Sequence, residues 1–249
     1  MPETRGHLLS YQCNDSAASM LPRESHAVSI VTSRYGDGKT LDFGLFIVTR
    51  SQHTSDEPTT PEKNGAAAAL AAQVVVAEML QHYYHKVQLG NMDVSPPDET
   101  LVESIKSSNK TIRNKMKDTA VALTAAVVVD GQLTLAHLGN CRAYLMDGSN
   151  FRQITTDYPL AQPDSKEAPV RVIGQSDGPL EIDLIQQPFA IQTNVFLSSH
   201  AIWQPDEIES AIRLTPTPAR ACNRLMSVAE ERHEISPATI LMRMVEATG

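Results

Sequence analysis

The sequence predicts an α+β fold, and three observations carry that prediction. Strand-like and helix-like stretches come in blocks: a β-rich start, two helices, a second β-rich block, two more helices and a closing strand. Blocks of this kind suit antiparallel sheets with helices gathered on their faces. The steps Asp37-Gly38, Asp130-Gly131 and Asp147-Gly148 stand between β-rich runs, where an Asp-Gly pair supplies the turn of a hairpin. No internal repeat and no linker-like break divides the chain, so residues 1–249 are read as a single domain.

Taken in order, residues 26–33 (HAVSIVTS) and 41–49 (LDFGLFIVT) have strand composition around the first turn. Residues 51–64 are polar with two prolines and read as a loop. A long helix is expected from about 61 to 88, opened by Pro61 and Glu62 and closed by Gly90-Asn91. Ala72, Val75, Val76, Met79 and Tyr83 share one face of it. Ser95-Pro96-Pro97-Asp98-Glu99 opens a second helix, with Leu101, Ile105, Ser108, Ile112 and Met116 as its buried stripe. Lys106, Lys110, Arg113 and Lys117 form a basic stripe beside it, read as a solvated face. Residues 121–129, 132–138, 142–146 and 151–155 are then four strands in series. The first is continuously apolar, as in a sheet covered on both faces. Residues 158–170 are a polar link, 184–187 and 194–199 two strands, 205–214 and 218–232 two helices, and 238–245 the last strand.

Composition narrows the functional classes. A chain with 41% hydrophobic residues can bury roughly 70–75% of its extended surface, which excludes wholesale disorder. The net charge of −8 argues against broad nucleic-acid or anionic-membrane binding, which needs a positive surface. Cys13, Cys141 and Cys222 are odd in number, far apart and without metal-like spacing. That suits reduced thiols in the cytoplasm. No signal peptide is expected, since Glu3, Arg5 and His7 interrupt the start of the chain. Residues 65–80 are broken by Gln73 and Glu78 and are too short to span a bilayer.

Residues 124–157 read TAAVVVDGQLTLAHLGNCRAYLMDGSNFRQITTD. This stretch resembles the metal-dependent protein phosphatases of the PP2C (PPM) family, whose strand ending in Gly-Asp-Ser-Arg-Ala-Tyr lies between a T-A-V-V strand and a T-x-D segment. Here the strand ends in Gly139-Asn140-Cys141-Arg142-Ala143-Tyr144. Further landmarks follow in order. Arg171-Val172-Ile173-Gly174 resembles R-A-L-G, Phe196-Leu197-Ser198-Ser199-His200-Ala201-Ile202-Trp203 resembles L-L-C-S-D-G-L-W, and Ser236-Pro237-Ala238-Thr239-Ile240 resembles D-N-A-T-V. Upstream, Leu45-Phe46-Ile47-Val48-Thr49-Arg50-Ser51 resembles F-V-V-A-D-G, and Asn14-Asp15-Ser16 resembles N-E-D. The resemblance implies an α-β-β-α sandwich, two antiparallel sheets flanked by helix pairs.

The same resemblance implies a carboxylate cleft for two or three Mg²⁺ or Mn²⁺ ions that generate a hydroxide and neutralise the phosphate. The residues depart from that pattern. Arg50 stands at the first aspartate, Asn140 at the Gly-Asp-Ser-Arg aspartate, His200 at the Ser-Asp-Gly aspartate and Ser236 at the terminal aspartate. Ser10 stands where the phosphate-binding arginine is expected, and Asp15 alone keeps an acid. Bringing a divalent cation within ~4 Å of a guanidinium is repulsive by several kcal/mol at an effective dielectric of about 20. His200 is a poor ligand for Mg²⁺, and Asn140 and Ser236 bring no charge.

The expectation is therefore a pseudophosphatase: no catalytic residues, no cofactor, and a degenerate cleft of Asp15, Arg50, Asn140, His200 and Ser236 that serves a protein-binding or regulatory role in signalling. Its partner would be a protein, phosphorylated or not, and neither a nucleic acid nor a membrane. The alternative is a weak Mn²⁺- or Mg²⁺-dependent serine/threonine phosphatase in which other acids, such as Asp42, Asp56 or Asp206, hold the metals. Pairing of Arg50 with Asp15 and anion binding by Arg50 are the two uses of that arginine that the residues suggest. Cys141 is expected to pack as a small buried residue, because Asp147 stands where a C-x5-R loop needs arginine. His82 and His85, three apart, read as a surface pair at a helix end.

Overall fold

The computed structural model describes residues 7–15, 25–36, 39–54, 61–85, 95–159, 171–175, 179–199, 203–232 and 237–246. The first β block is β1 (His7–Asp15), β2 (Ser25–Gly36) and β3 (Lys39–His53). Helices α1 (Pro61–Met79) and α2 (Pro97–Lys115) follow. Four strands come next: β4 (Thr119–Val129), β5 (Gln132–Leu138), β6 (Arg142–Asp147) and β7 (Asn150–Gln153). Then come β8 (Asp183–Pro188), β9 (Asn194–Ser198), α3 (Pro205–Leu214), α4 (Pro218–Glu231) and β10 (Ala238–Glu246).

The strands form two five-stranded antiparallel sheets, ordered β1-β10-β9-β6-β7 and β2-β3-β4-β5-β8. Strand alternation sorts the apolar residues into separate cores. Phe46 and Val48 of β3 and Ala122 and Ala126 of β4 face Ala143, Leu197 and Ile240 of the opposite sheet. Their neighbours Leu45, Ile47, Leu123 and Ala125 turn outward to α1 and α2. Tyr144, Phe196 and Leu241 turn outward from the other sheet to α3 and α4, around Trp203. The layers are thus helix pair, sheet, sheet, helix pair. Every described residue of β4 from Thr119 to Val128 is buried, as a sheet covered on both faces requires.

Three boundaries differ from the sequence reading. The loop expected from Ser51 begins later, because Ser51, Gln52 and His53 continue the ladder opposite Val121, Ala120 and Thr119. The long first helix changes character after Met79: Leu80–Tyr84 is a π-helical turn. The wider turn brings Tyr83 and Tyr84 onto Phe43, with ring centroids 6.0 and 5.1 Å away. The second helix stops at Lys115, so Lys117 lies beyond it, and Asp118 turns the chain with φ of 56°. The turns expected at Asp37-Gly38 and Gly90-Asn91 lie outside the described residues. Among the described residues, no helix is long and apolar enough to cross a membrane.

Candidate functional site

Arg50 lies near the end of β3, paired in register with Ser25 of β2 and Ala122 of β4. Its neighbours show which face it takes. The Thr49 hydroxyl donates to the Ala68 carbonyl of α1 at 2.9 Å, and the Ser51 hydroxyl donates to the Asn64 carbonyl, also in α1. Both therefore face the helices, and alternation places Arg50 between the sheets. There it acts on Cys141: burial pushes the Cys141 thiol up to about 12, against the opposing pull of the Arg50 charge and backbone. The thiol donates to the Ser199 carbonyl at 3.8 Å. Cys141 is protonated and inert, as its reading as a packing residue expects.

Backbone pairing gathers the other sheet at the same end. Asp15 closes β1 opposite Ala238, the first residue of β10. Ser199, just after β9, donates its N–H to the Ala238 carbonyl at 3.0 Å and accepts the Ala238 N–H on its hydroxyl at 2.8 Å. His200 and Ser236 lie outside the described residues, as do the side chain of Asp15 and all of Asp56. Their described chain neighbours Ser199 and Ala238 meet at this end of the sandwich. Asp42 does not: it sits eight residues before Arg50 on the same strand, about 26 Å away at the usual rise. Asp206 belongs to the first turn of α3, on the outer face.

Two polar atoms here are orphaned. Arg50 Nε and Asn140 Oδ1 are buried without a hydrogen-bond partner, although Arg50 as a residue is only partly buried. Thr239 Oγ1, opposite Asn14 and Ser198 in β10, is orphaned as well. Among the described residues no carboxylate pairs with Arg50. The nearby Asp157 is committed elsewhere: Arg142 donates to it from Nε at 3.1 and 3.0 Å and from Nη2 at 2.6 Å, and Gln153 donates at 3.1 Å.

A buried network under the site escaped the sequence reading. His137 of β5 lies opposite Thr124 of β4 in register. Its Nε2 is 2.7 Å from the Thr156 carbonyl and its Nδ1 is 2.9 Å from the Thr124 hydroxyl, which also lies 3.2 Å from the Cys141 carbonyl. Burial pushes the His137 imidazole down, so it is neutral. A carbonyl only accepts, so Nε2 carries the proton and Nδ1 accepts from Thr124. Tyr158 lies against the imidazole, Arg171 covers the Tyr158 ring at 4.2 Å, and Asp183 accepts from both Tyr158 and Arg171 at 2.8 Å. The only signal for this in the sequence is the strand period that places His137 and Thr124 on inward positions.

Other candidates take quieter places. His82 is paired with Glu78 at 3.0 Å on the surface of the first helix. A cavity of about 300 Å³ beside them, lined by Ser95, Glu99, Thr100 and Glu103 among others, lies on the helix side of the sheet, away from Arg50. Among the described residues, no group of three or more His, Cys, Asp or Glu side chains is arranged to hold a metal ion.

No protein-family model matches the chain, and no curated protein matches it in sequence. Solved structures do match it in shape. The PPM Ser-Thr phosphatase MsPP from Mycobacterium smegmatis, solved with cacodylate, superposes with a TM-score of 0.65 at 15% identity, over 97% of this chain and 98% of that one. The Mycobacterium tuberculosis serine/threonine phosphatase PstP/Ppp gives 0.63 at 16% identity, over 97% and 99%. The PstP catalytic domain in complex with two manganese ions gives 0.63 at 16% identity, over 96% and 98%. With both sheets, both helix pairs and nearly the full length of each chain in common, this protein has the fold of the PPM/PP2C serine/threonine phosphatases.

Proposed function

We propose that this protein is a pseudophosphatase: one PP2C-like domain, residues 1–249, that has given up metal-dependent hydrolysis and acts in the cytoplasm as a protein-binding, regulatory module. The observation that carries the reading is Arg50, a permanent cation set between the sheets with a buried, unpartnered Nε. Mg²⁺ and Mn²⁺ need several anionic oxygen ligands. Among the described side chains the donor set at this end of the sandwich does not fit them: a guanidinium, the neutral carboxamide of Asn140, a protonated Cys141 thiol and an Asp157 held by Arg142, with Asp15 the one acid that the sequence adds. The resemblance adds His200 and Ser236 at two further ligand positions, and neither is a carboxylate. This set supports a reading without metal-dependent hydrolysis. The partner is a protein that meets this end of the sandwich or the outer helices.

The test is hydrolysis of p-nitrophenyl phosphate at high protein concentration, with Mn²⁺ and with chelator. The expected result is no metal-dependent turnover. Turnover that needs Mn²⁺ and vanishes with chelator would overturn the proposal and give the metals to other carboxylates.

A further inference from the structure

The mismatch between Arg50 and a metal centre has a constructive side. A half-buried guanidinium without a counter-ion is costly to keep, and an anion relieves that cost. Here Nε is buried and unpartnered, while the residue keeps some contact with solvent. Nε is enclosed, and the contact with solvent belongs to the rest of the residue. Among the described side chains around Arg50 none neutralises it: Cys141 is held protonated, and Asp157 is held by Arg142. Asn140, the residue before Cys141, brings a second unsatisfied polar group. Half a turn of its carboxamide replaces the orphaned oxygen with an N–H donor.

We infer that Arg50 makes this cleft a metal-independent oxyanion receptor. The guanidinium supplies the charge that a divalent cation would supply elsewhere, and it holds the anion without cleaving it. The two terminal nitrogens of an arginine form a fork that matches two oxygens of one phosphoryl or carboxylate group. Asn140 adds a donor with no charge. Nothing in the set activates water, so the bound group is retained. The inference rests on the pseudophosphatase reading and deepens it, because it names the chemistry by which a partner would be recognised at this site.

The experiment is calorimetric titration of the full chain in chelator with three probes: inorganic phosphate, a phosphoserine peptide and a glutamate peptide of the same sequence. Phosphate is expected to bind with chelator present. Arg50→Gln should weaken it at least tenfold. Arg50→Lys, which keeps the charge and loses the fork, should retain part of the affinity, and circular dichroism checks that both variants are folded. Tighter binding of the phosphoserine peptide than of free phosphate assigns the anion to a protein partner, and preference for the glutamate peptide assigns it to a carboxylate; either outcome supports the receptor. The inference is overturned if none of the three probes binds, if affinity is unchanged in Arg50→Gln, or if binding needs Mn²⁺. Only Mn²⁺-dependent turnover by the wild type would also remove the reading beneath it, so the two failures remain distinct.

Discussion

At the scale of single residues, the buried His137 responds to a change of pH. His137 faces the Thr156 and Gly139 carbonyls, the Thr124 hydroxyl, and the more distant carboxylates of Asp183 and Asp157. Burial outweighs these and lowers its pKa. The folded state therefore binds fewer protons than the unfolded state once pH falls below the ordinary histidine value of about 6.5. Stability must fall with pH in that window, by at most about 1.4 kcal/mol per pH unit from this residue. Protonation has a second consequence. With both ring nitrogens donating, Thr124 can no longer give its proton to Nδ1 and turns it to the Cys141 carbonyl, 3.2 Å away. Urea midpoints measured from pH 7 to 5 should show a flatter acid slope for His137→Gln than for the wild type. Equal slopes would mean that another group titrates.

Elements were legible where a local signal exists. The Asp-Gly turns and the strand period gave the order of strands, and proline at the first turn marked α2, α3 and α4. Gly174 shows why the R-x-x-G landmark is informative: it has φ of 98°, and a Cβ there would lie 2.5 Å from the Thr119 carbonyl oxygen. The contact of Arg50 with Cys141 was not legible, because it joins distant strands across the sandwich, and neither was the π-helical turn, which keeps the apolar spacing of an ordinary helix. The close seating of α1 was legible in its alanines, and the hydroxyls that reach its carbonyls were not. Ala67, Ala68, Ala71 and Ala72 are fully buried, and small side chains let the helix come close enough for hydroxyls of β3 and α2 to reach its carbonyls. Thr49 donates to Ala68, and Ser108 donates to Ala71 at 3.1 Å. Ala71→Leu should then overpack the helix-facing core and cost about 1–3 kcal/mol. Thr49→Val should cost about 1 kcal/mol for its lost bond. Chemical denaturation measures both; an unchanged midpoint for Ala71→Leu would mean that α1 stands off the sheet.

At the scale of the whole molecule, the sandwich keeps much of its packing apart from the cleft at its strand ends. Its cores lie between the sheets and under each helix pair, and the two under the helices are filled by residues away from the cleft. Trp203 is an example: it is buried under α3 and α4 and donates to the Leu225 carbonyl at 2.8 Å. Substitutions at the strand ends can therefore change the charge of the cleft while those cores stay intact. The converse follows. If the fold still holds the geometry, returning carboxylates to the four departed positions should return metal binding. Arg50→Asp alone leaves Asn140, His200 and Ser236 in place and should not suffice. The fourfold variant with Arg50→Asp, Asn140→Asp, His200→Asp and Ser236→Asp would crowd like charges at one end of the sandwich. In chelator it should melt below the wild type. Mn²⁺ should reverse that order, since a metal at 100 times its dissociation constant adds about 2.7 kcal/mol. The wild type should melt at the same temperature with and without Mn²⁺. A fourfold variant that folds yet ignores Mn²⁺ would mean that the strand ends do not hold these four positions at metal-binding distances.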